Sequence, residues 1–301
     1  MKHPDFFQSI CVPWGKSSKV FNFNDNSWKL LSELYYESLK NPRQDIFIPK
    51  IIHQIWLGGP LPSSEANLSK KLKDLNANWE YKLWDDSNIN IIEPELFEKI
   101  SKIQNFGVKS DVLRYLILFK YGGVYLDCDF IAVNNFDNLI IGKKFIAGVC
   151  NPDFENLPLI NNAFIASEKN NQLLFLINEL IKSNLEEIMN IEKQNDVFSY
   201  TGPGLFTREI LNFIKAFKQS GYVIYPSTYF YPINCRKNKF INQSLIKRSI
   251  FPETYVIHLW NASWFKNPYP FYSWLKLLLP YSLFLTLSGL KKYLNSLKNE
   301  N

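Results

Sequence analysis

The chain has 301 residues, 46% hydrophobic and 21% charged, enough apolar material for one enlarged α/β domain or a domain with an appendage, which excludes a disordered chain. Its 34 basic and 28 acidic residues leave a formal charge of +6, and with no long Lys/Arg block or aromatic recognition motif it excludes nucleic acid as a partner, while suiting anionic donors, anionic glycans or an acidic membrane surface. The four cysteines, Cys11, Cys128, Cys150 and Cys235, lack Cys-x-x-Cys spacing and fit a reducing compartment.

The start, Met1 to Asp5, opens no uninterrupted apolar run, so no secretory signal is expected, and the sequons at Asn67, Asn242 and Asn261 carry little weight. Helical spacing of Trp28, Leu31, Leu34, Tyr35 and Leu39 predicts a helix over 28–40, ended by Asn41-Pro42 and packed outside the core. Lys50 to Leu57 reads as the first buried strand, with Gly58-Gly59-Pro60 as the loop at its C-terminal end, where open α/β sheets bind ligands. A helix over 64–75, a strand over 81–84 and a helix over 94–104 follow. Ser110 is expected to cap a helix that Gly122 and Gly123 stop, and a strand runs from there into Asp127-Cys128-Asp129. Further strands are expected at 144–149 and 163–167, with helices at 172–184 and 203–218, the last entered through Thr201-Gly202-Pro203-Gly204. Phe271 to Leu290 is strongly apolar but broken by Lys276, Pro280 and Gly289 and followed by Lys291-Lys292, a pattern that favours a helix at a membrane interface over a core contact or a span.

The chemistry concentrates in Tyr121-Gly-Gly-Val-Tyr-Leu-Asp-Cys-Asp129. Strand alternation points Tyr125, Asp127 and Asp129 one way and Val124, Leu126 and Cys128 the other. Paired carboxylates suit a hard divalent cation, Mn²⁺ or Mg²⁺, completed by substrate phosphates. By itself the pair is weak, because 12 Asp in 301 residues give about 0.5 chance occurrences of Asp-x-Asp. Context adds weight: Asp111, Arg114 and Tyr115 share one side of the preceding helix, which is otherwise apolar. Cys128 reads as a small buried hydrophobe and His53 as a support for its strand.

The ordered set Ile51-Ile-His-Gln-Ile-Trp-Leu-Gly58, Tyr81-Lys-Leu-Trp-Asp-Asp86, Ser110-Asp-x-x-Arg-Tyr115 and Tyr121 to Asp129 resembles the DXD sugar-transferase family. That family includes yeast-type initiating mannosyltransferases, bacterial capsular and lipopolysaccharide glycosyltransferases and clostridial glucosylating toxin domains. The likeness is close from Pro49 to Ile131, loose from Ala132 to Val256, and returns in His258-Leu-Trp-Asn-Ala-Ser-Trp264. It implies a GT-A-type, Rossmann-like nucleotide-sugar-binding fold with a mixed central sheet over 46–267, between an N-terminal helical extension over 1–45 and the C-terminal segment 268–301. It further implies metal-dependent hexosyl transfer with retention. Trp56 then stacks on the nucleotide base beside Leu57. Asp129 takes the metal, Asp127 the ribose or a water-mediated metal contact, and His258 becomes a third ligand. Asp111, Arg114 and Tyr125 face the sugar, Asn162 is a weaker sugar or acceptor contact, and Ser263 and Trp264 close over the diphosphate. A UDP-sugar is favoured over a GDP-sugar, with a surface glycan or glycolipid as acceptor and a cytoplasmic location at the inner membrane face through 271–292.

Two other readings compete. Haloacid-dehalogenase-like phosphotransferases also end an apolar strand in Asp-x-Asp and would use Asp127 as phosphoryl acceptor, but they continue differently from Phe130-Ile131. A sugar- or membrane-binding module without turnover is the non-enzymatic alternative, against which the completeness of the residue set counts.

Overall fold

The structure, a computed structural model, describes residues 3–15, 21–40, 44–89, 94–152, 157–191, 197–217 and 220–261. Ser263, Trp264 and the apolar segment 271–292 lie outside the described residues. Among the described residues, no helix is long and apolar enough to cross a membrane.

In chain order the elements are α1 (Phe6–Cys11), α2 (Asn26–Lys40), β1 (Ile51–Ile55), α3 (Ser63–Leu75), β2 (Glu80–Trp84), α4 (Pro94–Ser101), α5 (Phe106–Tyr121), β3 (Gly123–Leu126), β4 (Phe130–Ala132), α6 (Asp137–Ile140), β5 (Phe145–Pro152), β6 (Pro158–Ser167), α7 (Gln172–Ser183), α8 (Leu185–Ile191), α9 (Val197–Tyr200), α10 (Pro203–Ala216), β7 (Tyr222–Tyr225), α11 (Gln243–Arg248) and β8 (Val256–His258). Six strands form one sheet in the order β2-β1-β3-β6-β5-β7, and β4 pairs with β8 in a second, two-stranded sheet. Within the large sheet β6 alone runs against its neighbours, pairing antiparallel with both β3 and β5. β1 pairs parallel with β2 and β3, and β7 parallel with β5. This is the mixed central sheet that the resemblance implies, with parallel pairings in the majority. All four residues of β3 are buried, as are Ile52 to Ile55, because helices cover both faces of a parallel sheet.

The chain leaves β1 toward β2 on one side and returns to pair β3 on the other, so the C-terminal ends of β1 and β3 flank a topological switch point, the usual ligand crevice of such sheets. The path from α5 to β3 is set by Gly122 and Gly123, with φ of +66° and +103°. A Cβ on Gly123 would lie 2.5 Å from the Ile51 carbonyl oxygen, so only glycine lets the turn pass against β1. Helix α5 begins a turn earlier than expected: Asn105, not Ser110, caps it, accepting from the Gly107 and Val108 amides. Asn105 has the extended backbone a cap needs, whereas Ser110 lies within the helical run, so its residue type alone misled.

The N-terminal helices are not outside the core. Phe6, Trp28 and Tyr35 are fully buried in the main apolar cluster, and the Tyr35 hydroxyl lies 3.3 Å from that of Tyr229. At the centre, Phe164 stacks on Phe230 with ring centroids 4.0 Å apart, and Phe130 and Phe136 meet it edge-on. Such aromatic packing fixes β4, and with it the start of the small sheet, against β6.

Candidate active site

The two acids of the Asp-x-Asp pair do not converge by strand alternation as expected. β3 ends at Leu126 and β4 starts at Phe130, so Asp127-Cys128-Asp129 form the turn between them. The physical reason lies in the pairing: β3 joins the large sheet while β4 joins β8, and the chain must change direction between the two. That turn is tied to the end of β1, because Gln54 donates Nε2–H to the Asp127 carbonyl at 3.1 Å and Cys128 Sγ–H reaches the Ile55 carbonyl at 3.5 Å. Trp56 and Leu57 follow directly. Trp56 is half-buried and donates its amide N–H to the Trp84 carbonyl at 2.9 Å, and Leu57 is buried.

Gln54 was not singled out in the sequence, although a glutamine inside an otherwise apolar strand is a signal. It is 1% exposed and held at both ends of its amide, its Oε1 accepting from Ser69 Oγ at 2.7 Å and Tyr81 Oη at 2.8 Å. Buried polar groups are retained when every partner is present. His53, one residue earlier, is the strand support expected of it. Trp84 Nε1–H donates to His53 Nδ1 at 3.1 Å, which leaves the proton on Nε2 for the Gly122 carbonyl at 2.8 Å. Burial pushes its pKa down to about 4.

Asp111, Arg114 and Asn162 form one buried network. The Arg114 guanidinium lies 3.1 Å from Asp111 Oδ1 and 3.4 Å from Asp127 Oδ1, and donates to the Asn162 carbonyl at 2.8 Å. Its face lies 4.6 Å from the Tyr125 ring centroid. Asn162 Nδ2 donates to Asp111 Oδ1 at 2.8 Å and to Tyr115 Oη at 2.9 Å, and Thr201 Oγ1 donates to Asp111 Oδ2 at 3.1 Å. Thr201 was missed as a partner; the only sequence signal was its place before the glycine-flanked entry to α10. Burial raises the Asp111 pKa to about 6 against the opposing pull of Arg114. For Arg114, burial opposes its charge, but Tyr125, Asp127 and Asp111 outweigh it and raise the pKa. Tyr125 donates Oη–H to Asp127 Oδ1 at 2.7 Å. Asp111 thus faces its neighbours, while Asp127, at 30% side-chain exposure, carries the network to the surface.

Asp129 is held from the far side. β8 brings His258 opposite Phe130, the two rings stacked at 4.5 Å. His258 Nε2 lies 3.1 Å from Asp129 Oδ1, and the Asn261 amide donates to Asp129 Oδ2 at 2.8 Å. Burial raises the Asp129 pKa, but the His258 charge and these hydrogen bonds outweigh it and hold the carboxylate below its ordinary value. The ligand atoms of Asp127, Asp129 and His258 all lie within 4.8 Å of one another. Ligands of a small octahedral ion at about 2.1 Å are separated by about 3 to 4 Å, so minor side-chain movement suffices. His258 Nδ1 is buried and makes no hydrogen bond among the described residues, and Nε2 can act as donor to Asp129 or as lone pair to a cation. Two carboxylates and an imidazole suit Mn²⁺. Cys128, which lies between the acids, is buried with a raised pKa, caused first by desolvation and then by Asp127 and Asp129, so it is no thiolate nucleophile.

Two neighbours escaped the sequence reading. Glu65, buried in the first turn of α3, accepts from Asn261 Nδ2 at 3.3 Å. Trp260 has φ of +59°, a strained conformation for a bulky residue that costs about 1 to 3 kcal/mol. It is offset by the indole N–H bond to the Ile233 carbonyl at 2.8 Å and by the Asn261 amide on Asp129.

Residues 62–146, which include both acids of the turn and Arg114, match the family described as a glycosyltransferase sugar-binding region containing a DXD motif, and residues 178–271, which include His258, match an alpha 1,4-glycosyltransferase conserved region. An uncharacterised glycosyltransferase of Acanthamoeba polyphaga mimivirus is 30% identical over 203 residues, covering 64% of this chain and 76% of the relative. The chain belongs to the DXD glycosyltransferases. Inositol phosphoceramide mannosyltransferase 3 of Schizosaccharomyces pombe is 35% identical over 101 residues, 32% of this glycosyltransferase and 28% of the yeast protein, so the two share a part only. Among solved structures, the PaToxG glycosyltransferase aligns with a TM-score of 0.47 at 22% identity, covering 62% of this chain and 76% of that one.

Proposed function

We propose that this glycosyltransferase moves a hexosyl group from a UDP-sugar to a glycan or glycolipid with retention of configuration, using Mn²⁺ in preference to Mg²⁺. The observation that carries the reading is the convergence of Asp127, Asp129 and His258 from two distant parts of the chain. Those three would hold the ion, which when bound neutralises the departing diphosphate. Trp56 and Leu57 would receive the nucleoside at the switch point, and Arg114 and Tyr125 would set the Asp127 carboxylate and border the sugar. Asp111 is proposed as a positioning residue, because its oxygens are taken by Arg114, Asn162 and Thr201. Asn162 belongs to the same network, and Ser263 and Trp264 are proposed donors to the diphosphate. The Asp127 phosphotransferase alternative gives no role to Asp129 and His258, which converge on the same place as Asp127.

A mannosyl donor is the second reading, favoured by relatives named mannosyltransferases. A panel of UDP-, GDP- and CMP-sugars with Mn²⁺ or EDTA decides between them through nucleotide release, and NMR of the first sugar product reads its anomer. Metal-dependent release from one donor with an unchanged anomer supports the proposal; silence across the panel with no nucleotide binding contradicts it. We also propose peripheral contact with the inner membrane face through 271–292; indifference of the full chain to anionic liposomes would remove that part.

A further inference from the structure

A cavity of about 360 Å³ lies between the stretch that follows α1, at Val12 and Pro13, and the segment that leads into and out of α11. Its walls are apolar at Val12, Ile233, Leu245 and Phe251, and two cations, Lys237 and Arg248, border it. Arg248 is exposed and donates Nε–H to the Ser244 carbonyl at 3.3 Å, and Lys237 donates to the Pro13 carbonyl at 3.2 Å. Neither meets a carboxylate among the described residues, so both retain donors for an anion. The sequence amplifies the charge: residues 236–248 hold five Lys or Arg and no acid, nearly the whole net excess of +6. A solvated cationic face would need no apolar side chains lining a cavity beneath it.

The cavity is joined to the reaction centre through one wall residue. Ile233 lines it and accepts the Trp260 indole N–H through its carbonyl, while the Trp260 ring lies 4.2 Å from that of His258. The strained Trp260 backbone in turn delivers the Asn261 amide to Asp129. We infer that this cavity is an acceptor subsite for an anionic amphiphile: the apolar wall takes a hydrocarbon part, Lys237 and Arg248 take a phosphate-type group, and a hydroxyl beyond it extends past Trp260 to the donor sugar. Charge complementarity selects this occupant over a neutral glycan, and the apolar wall selects it over a free anion. The inference rests on the transferase reading for its role as acceptor site.

The test is calorimetry of the full chain with dihexanoylphosphatidylglycerol kept below its micelle concentration, so that no lipid surface is present. Dihexanoylphosphatidylcholine and inorganic phosphate serve as the tail-only and anion-only probes. The anionic lipid is expected to bind at least about tenfold more tightly than either, and Lys237→Gln/Arg248→Gln to lose about tenfold, as two charge-assisted contacts at a partly exposed site imply. Lys29→Gln/Lys99→Gln, which removes the same charge elsewhere, is expected to bind like wild type. Equal binding of both lipids, phosphate binding as tightly as the lipid, or equal losses in the two double variants would overturn the inference. Donor release by the same wild-type sample separates the two claims. Release without lipid binding sinks the subsite and leaves the transferase reading, whereas lipid binding with neither nucleotide binding nor release sinks that reading and the acceptor role with it.

Discussion

At the scale of residues, the site depends on carboxylates brought to close quarters with His258 and Arg114. Asp129 accepts from His258 and Asn261 in the turn between β3 and β4, and Asp129→Ala removes one proposed metal ligand without touching either strand. That variant is expected to keep its circular dichroism and lose at least about a hundredfold in kcat/KM for donor cleavage, the scale of a lost electrostatic contact to a transition state. Asp111 differs, because its removal takes from the Arg114 guanidinium, which is 5% exposed, the nearer of its two carboxylates and leaves Asp127 at 3.4 Å. Asp111→Ala is expected to destabilise the protein by about 3 to 5 kcal/mol, read as a lowered urea midpoint. Arg114→Lys keeps the charge but cannot serve Asp111, Asp127 and the Asn162 carbonyl with one planar group, so turnover should fall while stability falls less. The Asp127 and Asp129 pair and the Asp111 and Arg114 side of α5 were legible because residue type, spacing and order coincided. Glu65, Gln54 and Thr201 were not, since their roles exist only after distant segments meet.

At the scale of elements, the turn from α5 into β3 decides whether the acids arrive in place. Gly123→Ala meets the Ile51 carbonyl at a positive φ, and is expected to cost about 1 to 3 kcal/mol and to lower activity by misplacing β3. His53 closes the same turn by bonding the Gly122 carbonyl, and its titration gives a signed prediction. The unfolded ring has an ordinary pKa of 6.5 and the buried ring about 4, so between those values the unfolded chain takes up a proton that the folded chain refuses. The His53 contribution is complete above pH 6.5 and is lost as pH falls toward 4, by up to about 3 kcal/mol. Asp111 acts in the opposite sense between its ordinary 3.8 and about 6, so raw pH curves mix the two. The difference in melting temperature between wild type and His53→Gln isolates His53, and that difference should shrink on acidification across the window. Strand and helix positions from β1 to β3 were readable from periodicity and glycine placement. The cap of α5 and the turn at Asp127 were not, because backbone conformation and sheet exchange override residue preference there.

At the scale of the whole molecule, the site is a closure between remote segments. Trp56 follows β1, the acid turn follows β3, and His258 ends β8, 129 residues beyond Asp129. Nothing local in the sequence says that β4 leaves the large sheet to pair with β8, so the proposal of His258 as a ligand came only from its motif and the family resemblance. The N-terminal helices show the same limit: α2 reads as a surface helix, yet Trp28 and Tyr35 are core residues, because β7 offers a neighbour that periodicity cannot name. Since the ion would bridge elements that fold from both ends of the chain, Mn²⁺ with nucleotide should raise the melting temperature of wild type, and EDTA should reverse the rise. The central claim, that Asp127, Asp129 and His258 together hold one divalent ion, is tested most directly by titrating Mn²⁺ into wild type and Asp129→Ala, each with a saturating nucleoside diphosphate, and following free Mn²⁺ by electron paramagnetic resonance. The account predicts one ion bound per wild-type chain and loss of that binding in the folded variant; equal binding by both proteins would contradict it.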